Sequence, residues 1–127
     1  MKILLDTHAF LWWDSEPEKL SERALELCQD PENLLLLSAA SVWEMQIKIQ
    51  LGKLKINLPV ADLIHQQEEN GIGILPVHLS HVLALSDLPP LHRDPFDRLL
   101  IAQAIVEDAA FISADPLIAQ YPVKAIW

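Results

Sequence analysis

Short apolar runs recur along the chain at residues 3–5, 34–37, 74–77 and 109–112, and the stretches between them carry apolar residues at helical spacing. Runs of that length, bounded by polar or turn residues, read as strands buried on both faces of a parallel sheet. The segment 18–28 places Leu20, Ala24, Leu27 and Cys28 on one side of a helix and Lys19, Glu22, Arg23 and Glu26 mainly on the other. Further helices are expected over 59–70, closed by Gly71 and Gly73, over 79–88, and over 95–106. Residues 123–127 are expected to add an edge strand. The run Ala9-Phe10-Leu11-Trp12-Trp13 must pack on the sheet or on another subunit.

Residues 45–58 fit two patterns. Ile47, Ile49 and Leu51, then Leu54, Ile56 and Leu58, alternate with polar residues around Gly52 as in a hairpin. Ser41 and Glu44 match a capping box, and Trp43 and Ile47 stand four apart, which favours a helix ending near Gly52. Apolar runs alternating with helices predict an α/β domain with a mainly parallel central sheet.

The strongest helix start is His92-Arg93-Asp94-Pro95-Phe96-Asp97-Arg98: Asp94 suits the N-cap, Pro95 the first helical position and Asp97 the third. The run that follows, 99–106, is apolar on nearly all sides except Gln103, the mark of a helix buried against a sheet.

Composition bounds what this fold can do. The 127 residues, 51% of them hydrophobic, suffice for one domain spanning 1–127. A formal charge of −9 argues against gripping nucleic acid through a general positive field and favours a cation or a basic partner. The single cysteine, Cys28, leaves no disulfide within the chain, and the apolar stretch after Met1-Lys2 is too short for a signal segment. No run reaches membrane-spanning length, so a cytoplasmic protein is expected.

Four acids carry the candidate chemistry. Asp6 directly follows the first strand, Asp115 follows the run 109–112, Glu44 lies soon after the run 34–37, and Asp97 opens the buried helix. Capping explains each singly. In a parallel α/β sheet, however, the carboxyl ends of the strands share one edge, where ligands bind. Two carboxylates about 4 Å apart repel by roughly 4 kcal/mol at an effective dielectric near 20, so such a cluster needs a cation, a bound arginine or a raised pKa. Magnesium or manganese suits carboxylates and water. His78 and His81, three apart, read as a solvated helix start, since no acid or cysteine adjoins them in sequence.

These segments resemble the PIN-domain ribonucleases, specifically the VapC-type toxins of bacterial toxin–antitoxin pairs. The similarity runs through Leu5-Asp6-Thr7-His8-Ala9-Phe10-Leu11-Trp12, Ser38 to Glu44 with Lys48 and Gly52-Lys53-Leu54, His92 to Ala104, and Ile112-Ser113-Ala114-Asp115. The resemblance implies a three-layer α/β/α fold, Mg²⁺ or Mn²⁺ dependence and endonucleolytic cleavage of RNA. By position it makes Asp6, Glu44, Asp97 and Asp115 the metal-binding acids, with Thr7 assisting, Asp94 capping and supporting from behind, and Arg98 holding the acids or contacting phosphate. It further implies a homodimer, a cognate VapB-like antitoxin and higher toxin–antitoxin assemblies; an antitoxin arginine would suit the acid cluster. Lys48, Lys53, Lys55 and Arg93, with Arg98, are the candidates for a basic rim toward RNA. The sequence lacks a Gly-x-Ser-x-Gly elbow, a phosphate-binding glycine loop and a Cys-His pairing, so water activated by one or two metals is the expected nucleophile. Two rivals are a receiver-like Mg²⁺-binding signalling domain and a non-catalytic interaction module built on Trp12, Trp13 and Trp43.

Overall fold

Side chains that alternate along three strands divide the core in two. In β1 (Lys2–Leu5), Ile3 and Leu5 face one side of the sheet and Leu4 the other. In β2 (Leu34–Ser38), Leu35 and Leu37 oppose Leu36, and in β4 (Ala110–Ile112), Ala110 and Ile112 oppose Phe111. A strand apolar at every position can lie only where both faces are covered. Accordingly, α1 (Thr7–Ser15), α2 (Glu22–Gln29) and α4 (Val60–Glu69) cover one face through Phe10, Ala24 and Leu63. On the opposite face α6 (Pro95–Val106) packs Leu100, Ile101 and Ala104 against Leu4 and Phe111. The result is a three-layer α/β/α architecture.

The computed structural model describes residues 1–127, and its sheet runs β3-β2-β1-β4-β5 with every pairing parallel, where β3 is Gly73–Leu75 and β5 is Ala125–Ile126. Because β1 pairs with β2 on one side and β4 on the other, the strand order reverses at β1. A crevice therefore opens beyond the carboxyl ends of these strands.

Several expectations shift. The strand expected at 74–77 stops at Leu75, since Pro76 has no N–H to continue the ladder. The helix expected from residue 18 starts instead at Glu22, where Ser21 Oγ accepts the Ala24 N–H at 3.1 Å; Pro17–Lys19 forms a separate 3₁₀ turn. The helix expected over 79–88 divides into α5 (Leu79–Leu83) and a 3₁₀ turn, Ala84–Asp87.

The ambiguous stretch resolves as a helix, α3 (Ala39–Gln50), and no hairpin forms around Gly52. Its N-cap is Ser38, whose hydroxyl accepts the Ala40 N–H at 3.0 Å, so the capping box expected from Ser41 and Glu44 does not exist. Glu44 lies in the helix interior and caps nothing.

One polar network crosses the apolar layer behind α6. The buried Gln103 accepts from Ser38 Oγ and donates to the Pro76 carbonyl at 3.2 Å. Beside it His81, also fully buried, takes the His78 N–H on Nδ1 at 3.0 Å and presents Nε2 to Glu107 at 2.8 Å. His78 and His81 thus do form a helix start, but His81 is buried and paired with an acid that lies 26 residues away in sequence.

Candidate active site

Asp6 stands where β1 ends. Its backbone N–H donates to the Ile112 carbonyl at 3.0 Å, tying the ends of β1 and β4 together, and its Oδ1 caps α1 by accepting the Ala9 N–H at 2.7 Å. Asp115 leaves β4 three residues past its end and caps the 3₁₀ turn Pro116–Gln120, accepting the Leu117 N–H at 2.9 Å. Glu44, only 7% exposed, accepts from Thr7 Oγ1 at 2.7 Å and pairs with Lys48 Nζ at 3.2 Å. The Thr7 hydroxyl also lies 3.0 Å from Ser41 Oγ. Asp97, on the first turn of α6, completes the set. All four acids, with Thr7, Lys48 and Asp94, line one cavity of about 400 Å³.

The electrostatics of the cavity are those of crowded anions. Burial pushes Asp6 above the ordinary carboxylate range, against hydrogen bonds from Ser113 and the Ala9 amide that draw it down. Asp97 is pushed up to about 6, first by burial, then by the neighbouring charge of Asp94, with Glu44 and Asp6 adding to it and His92 opposing. Asp115 runs the other way: the hydrogen bond from His92 holds it below its usual value. Lys48 is the one lysine or arginine lining the cavity, and it is already engaged by Glu44.

This donor set, carboxylate oxygens with a threonine hydroxyl, fits a hard divalent cation and no soft one. No three of these side chains are mutually close enough to clasp an ion as they stand. Glu44 is held by Thr7 and Lys48, and Asp115 by His92, through oxygens that each keep a further lone pair for an ion.

Other candidates fall in different places. Asp94 caps α6 through the Phe96 N–H at 2.8 Å and lines the cavity as well. Arg98 does not hold the acids: its guanidinium donates to the carbonyls of Pro89 at 3.0 Å and Leu85 at 3.3 Å, clamping the loop ahead of α6. Lys53 and Arg93 line a shallow groove that shares Glu44, Lys48 and Asp94 with the acid cavity, and Lys55 lies exposed outside both.

His92 is the residue whose role sequence reasoning missed. Its Nε2 lies 2.7 Å from Asp115 Oδ2 and its Nδ1 2.8 Å from the Tyr121 hydroxyl. It belongs to the conspicuous 92–100 segment, but its acid lies 23 residues further on and no local pattern joins them. The pairing of Lys48 with Glu44, by contrast, is a plain i,i+4 spacing.

A three-layer domain with acids gathered at the carboxyl ends of a parallel sheet places a site suited to a hard cation where α/β folds bind their ligands. The chain belongs to the PIN-domain family, whose model matches residues 3–124. It is 30% identical over 115 residues to Ribonuclease VapC22 of Mycobacterium tuberculosis, covering 89% of this chain and 86% of that protein. Its fold is shared with VapBC2 from Rickettsia felis, solved bound to a DNA fragment from their promoter, at a TM-score of 0.75 and 16% identity over 99% of this chain and 98% of that one. FitAcB from Neisseria gonorrhoeae matches at a TM-score of 0.62 and 21% identity, covering 98% and 96% of the two chains. No helix is long and apolar enough to cross a membrane.

Proposed function

We propose that this protein is a Mg²⁺- or Mn²⁺-dependent endoribonuclease acting in the cytoplasm as the toxin of a toxin–antitoxin pair, with residues 1–127 as one catalytic domain. One observation carries the reading: Asp6, Glu44, Asp97 and Asp115 line a single cavity beyond the strand ends, and Asp97 is pushed up to about 6 with no basic side chain bonded to it. Membership of the PIN family and similarity to a ribonuclease of the VapC type support the reaction class.

Asp6, Glu44, Asp97 and Asp115 would hold the cation. Bound there, a divalent metal supplies positive charge for the phosphate and lowers the pKa of a water. The protein's own part is positioning. The Asp6 amide bond to Ile112 and the cap on Ala9 fix one carboxylate against the sheet. Thr7 orients Glu44 by donating to Oε1, and His92 orients Asp115. The raised pKa of Asp97 reflects its burial and its crowding with Asp94, Glu44 and Asp6, which a cation held among these acids would relieve. Lys48, paired with Glu44, is the one lysine or arginine of the cavity and would meet a phosphate there.

The partner in this reading is a cognate VapB-like antitoxin, and a homodimer of the toxin, alone or within a larger toxin–antitoxin assembly, brings two acid cavities together. An antitoxin arginine placed among the four acids would inhibit by supplying the charge the cluster needs.

The experiment is cleavage of structured and unstructured RNAs by wild type and Asp97→Asn in Mg²⁺, Mn²⁺ or chelator. Cleavage by wild type with metal, lost in chelator and in the variant, is expected. Full activity of Asp97→Asn, or of wild type in chelator, would sink the assignment.

A further inference from the structure

Ser41 is completely buried in α3, three residues ahead of Glu44 and so on the same side of the helix. Its one side-chain hydrogen bond leaves the helix and reaches Thr7 Oγ1 on α1 at 3.0 Å. A buried serine inside a helix ordinarily turns its proton to a carbonyl of the preceding turn, and alanine holds a helix better than serine does. Ala39 and Ala40 stand immediately before it. A hydroxyl at position 41 therefore weakens α3 locally, and its bonding is directed at α1.

Counting hydrogens fixes the direction of that bond. Thr7 has one hydroxyl proton and two neighbours, Glu44 Oε1 at 2.7 Å and Ser41 Oγ at 3.0 Å. The Glu44 carboxylate, paired with Lys48 Nζ through Oε2 at 3.2 Å, can only accept, so the Thr7 proton goes to it. The Ser41 proton then goes to a lone pair of Thr7 Oγ1. Two hydroxyls run in series into one oxygen of Glu44, and in a series of this kind each bond polarises the next. Thr7 is only 4% exposed, so little solvent competes for either proton. Thr7 and Glu44 line the acid cavity, whereas Ser41 stands behind them and does not.

We propose that Ser41 is a positioning residue of the acid site: by donating to Thr7 it holds the Thr7 proton on Glu44 Oε1 and so fixes how that carboxylate faces the cavity. The proposal rests on the metal-dependent nuclease reading and adds to it a residue that touches neither ion nor substrate. The same bond ties together the helices on which two of the acids depend. Asp6 caps α1 immediately before Thr7, and Glu44 follows Ser41 on α3, so the Ser41–Thr7 contact also sets the spacing between Asp6 and Glu44.

The test is Mn²⁺ affinity, measured by calorimetry, for wild type, Ser41→Ala, Thr7→Val and the double variant, with thermal unfolding in chelator to verify the fold of each. Thr7→Val is expected to weaken Mn²⁺ binding about 10- to 100-fold, the range for groups that orient a metal ligand, and Ser41→Ala about 10-fold. In the double variant Ser41→Ala should add nothing to Thr7→Val, because a hydroxyl that acts through Thr7 is idle once the Thr7 hydroxyl is gone. A serine that only fills space would lower the melting temperature and leave the Mn²⁺ affinity of the folded protein unchanged. Wild-type Mn²⁺ affinity in folded Ser41→Ala therefore overturns the positioning role, and so do losses that multiply in the double variant; with metal-dependent cleavage intact in wild type, either result leaves the nuclease reading standing. Wild type that binds no Mn²⁺ overturns the metal reading and the role of Ser41 together.

Discussion

His92 and Asp115 are joined at 2.7 Å, and a third residue, Tyr121, holds the imidazole from its other side. The ionised Asp115 carboxylate can only accept, so the imidazole carries hydrogen on Nε2, while the Tyr121 hydroxyl accepts the His92 backbone N–H at 3.1 Å and lies 2.8 Å from ring Nδ1. His92 therefore orients an acid at the mouth of the cavity, itself held in place by a buried tyrosine.

Removing that support should cost activity without unfolding the protein. His92→Ala is expected to lower RNA cleavage about 10- to 100-fold, the range for partners that orient a metal ligand, and to weaken Mn²⁺ binding measured by calorimetry. Tyr121→Phe, which leaves the imidazole but removes its Nδ1 partner, should fall between. Wild-type Mn²⁺ affinity in His92→Ala would remove the orienting role.

Asp97 makes an opposite prediction about stability. Its folded pKa, about 6, lies above the ordinary 3.8, so the folded state binds the proton more tightly than the unfolded chain. The stabilisation is full below 3.8 and lost as pH rises through about 6; at pH 8 in chelator the buried negative charge is a burden. Asp97→Asn should therefore raise the melting temperature by a few degrees at pH 8, roughly 1 kcal/mol once solvent screening of this half-buried group is allowed for, and abolish cleavage. Adding Mn²⁺ should raise the melting temperature of wild type and not of the variant.

The contact of Glu107 with His81 sets an acid limit elsewhere. The hydrogen bond from His81, aided by Lys2 at 3.7 Å, holds the Glu107 carboxyl below its ordinary 4.5. Its contribution to stability is complete above 4.5 and disappears as pH falls through the lowered value. Unfolding followed from pH 7 downward should show Glu107→Gln destabilised at neutral pH, with the difference from wild type closing in acid. A constant difference across that range would contradict the linkage.

Gln103 is the one polar residue facing the core from α6, and it is fully buried. Gln103→Ala leaves Ser38 and the Pro76 carbonyl without that partner and opens a cavity, at a cost of about 2–4 kcal/mol in urea unfolding. Because Ser38 also caps α3, the helix that carries Glu44, RNA cleavage should fall along with stability. A loss below 1 kcal/mol would mean that the network does not stabilise the fold.

Strands β1, β2 and β4 were legible because each carries an unbroken apolar run of three or four residues, and the start of α6 because Asp94 and Pro95 occupy adjacent positions with strong preferences. Glu44 was harder. Its spacing from Ser41 imitates a cap, and only the hydroxyl of Ser38, reaching both Ala40 and Gln103, reveals that the helix begins three residues earlier. Arg98 was misread for a related reason: a guanidinium among acids suggests an ion pair, but it donates instead to the carbonyls of Leu85 and Pro89 ahead of α6. His92 with Asp115 and His81 with Glu107 are contacts across elements, invisible to any periodicity.

The sheet order has a consequence for how this protein is made. A ribosome that has translated only residues 1–90 has produced β1, β2 and β3, with Asp6 and Glu44, but neither Asp97 nor Asp115. The strand that flanks β1 on its open side arrives last but one, and only then does Ile112 reach the Asp6 amide. A nascent chain therefore lacks the full set of four acids until β4 and the turn that follows it have been synthesised.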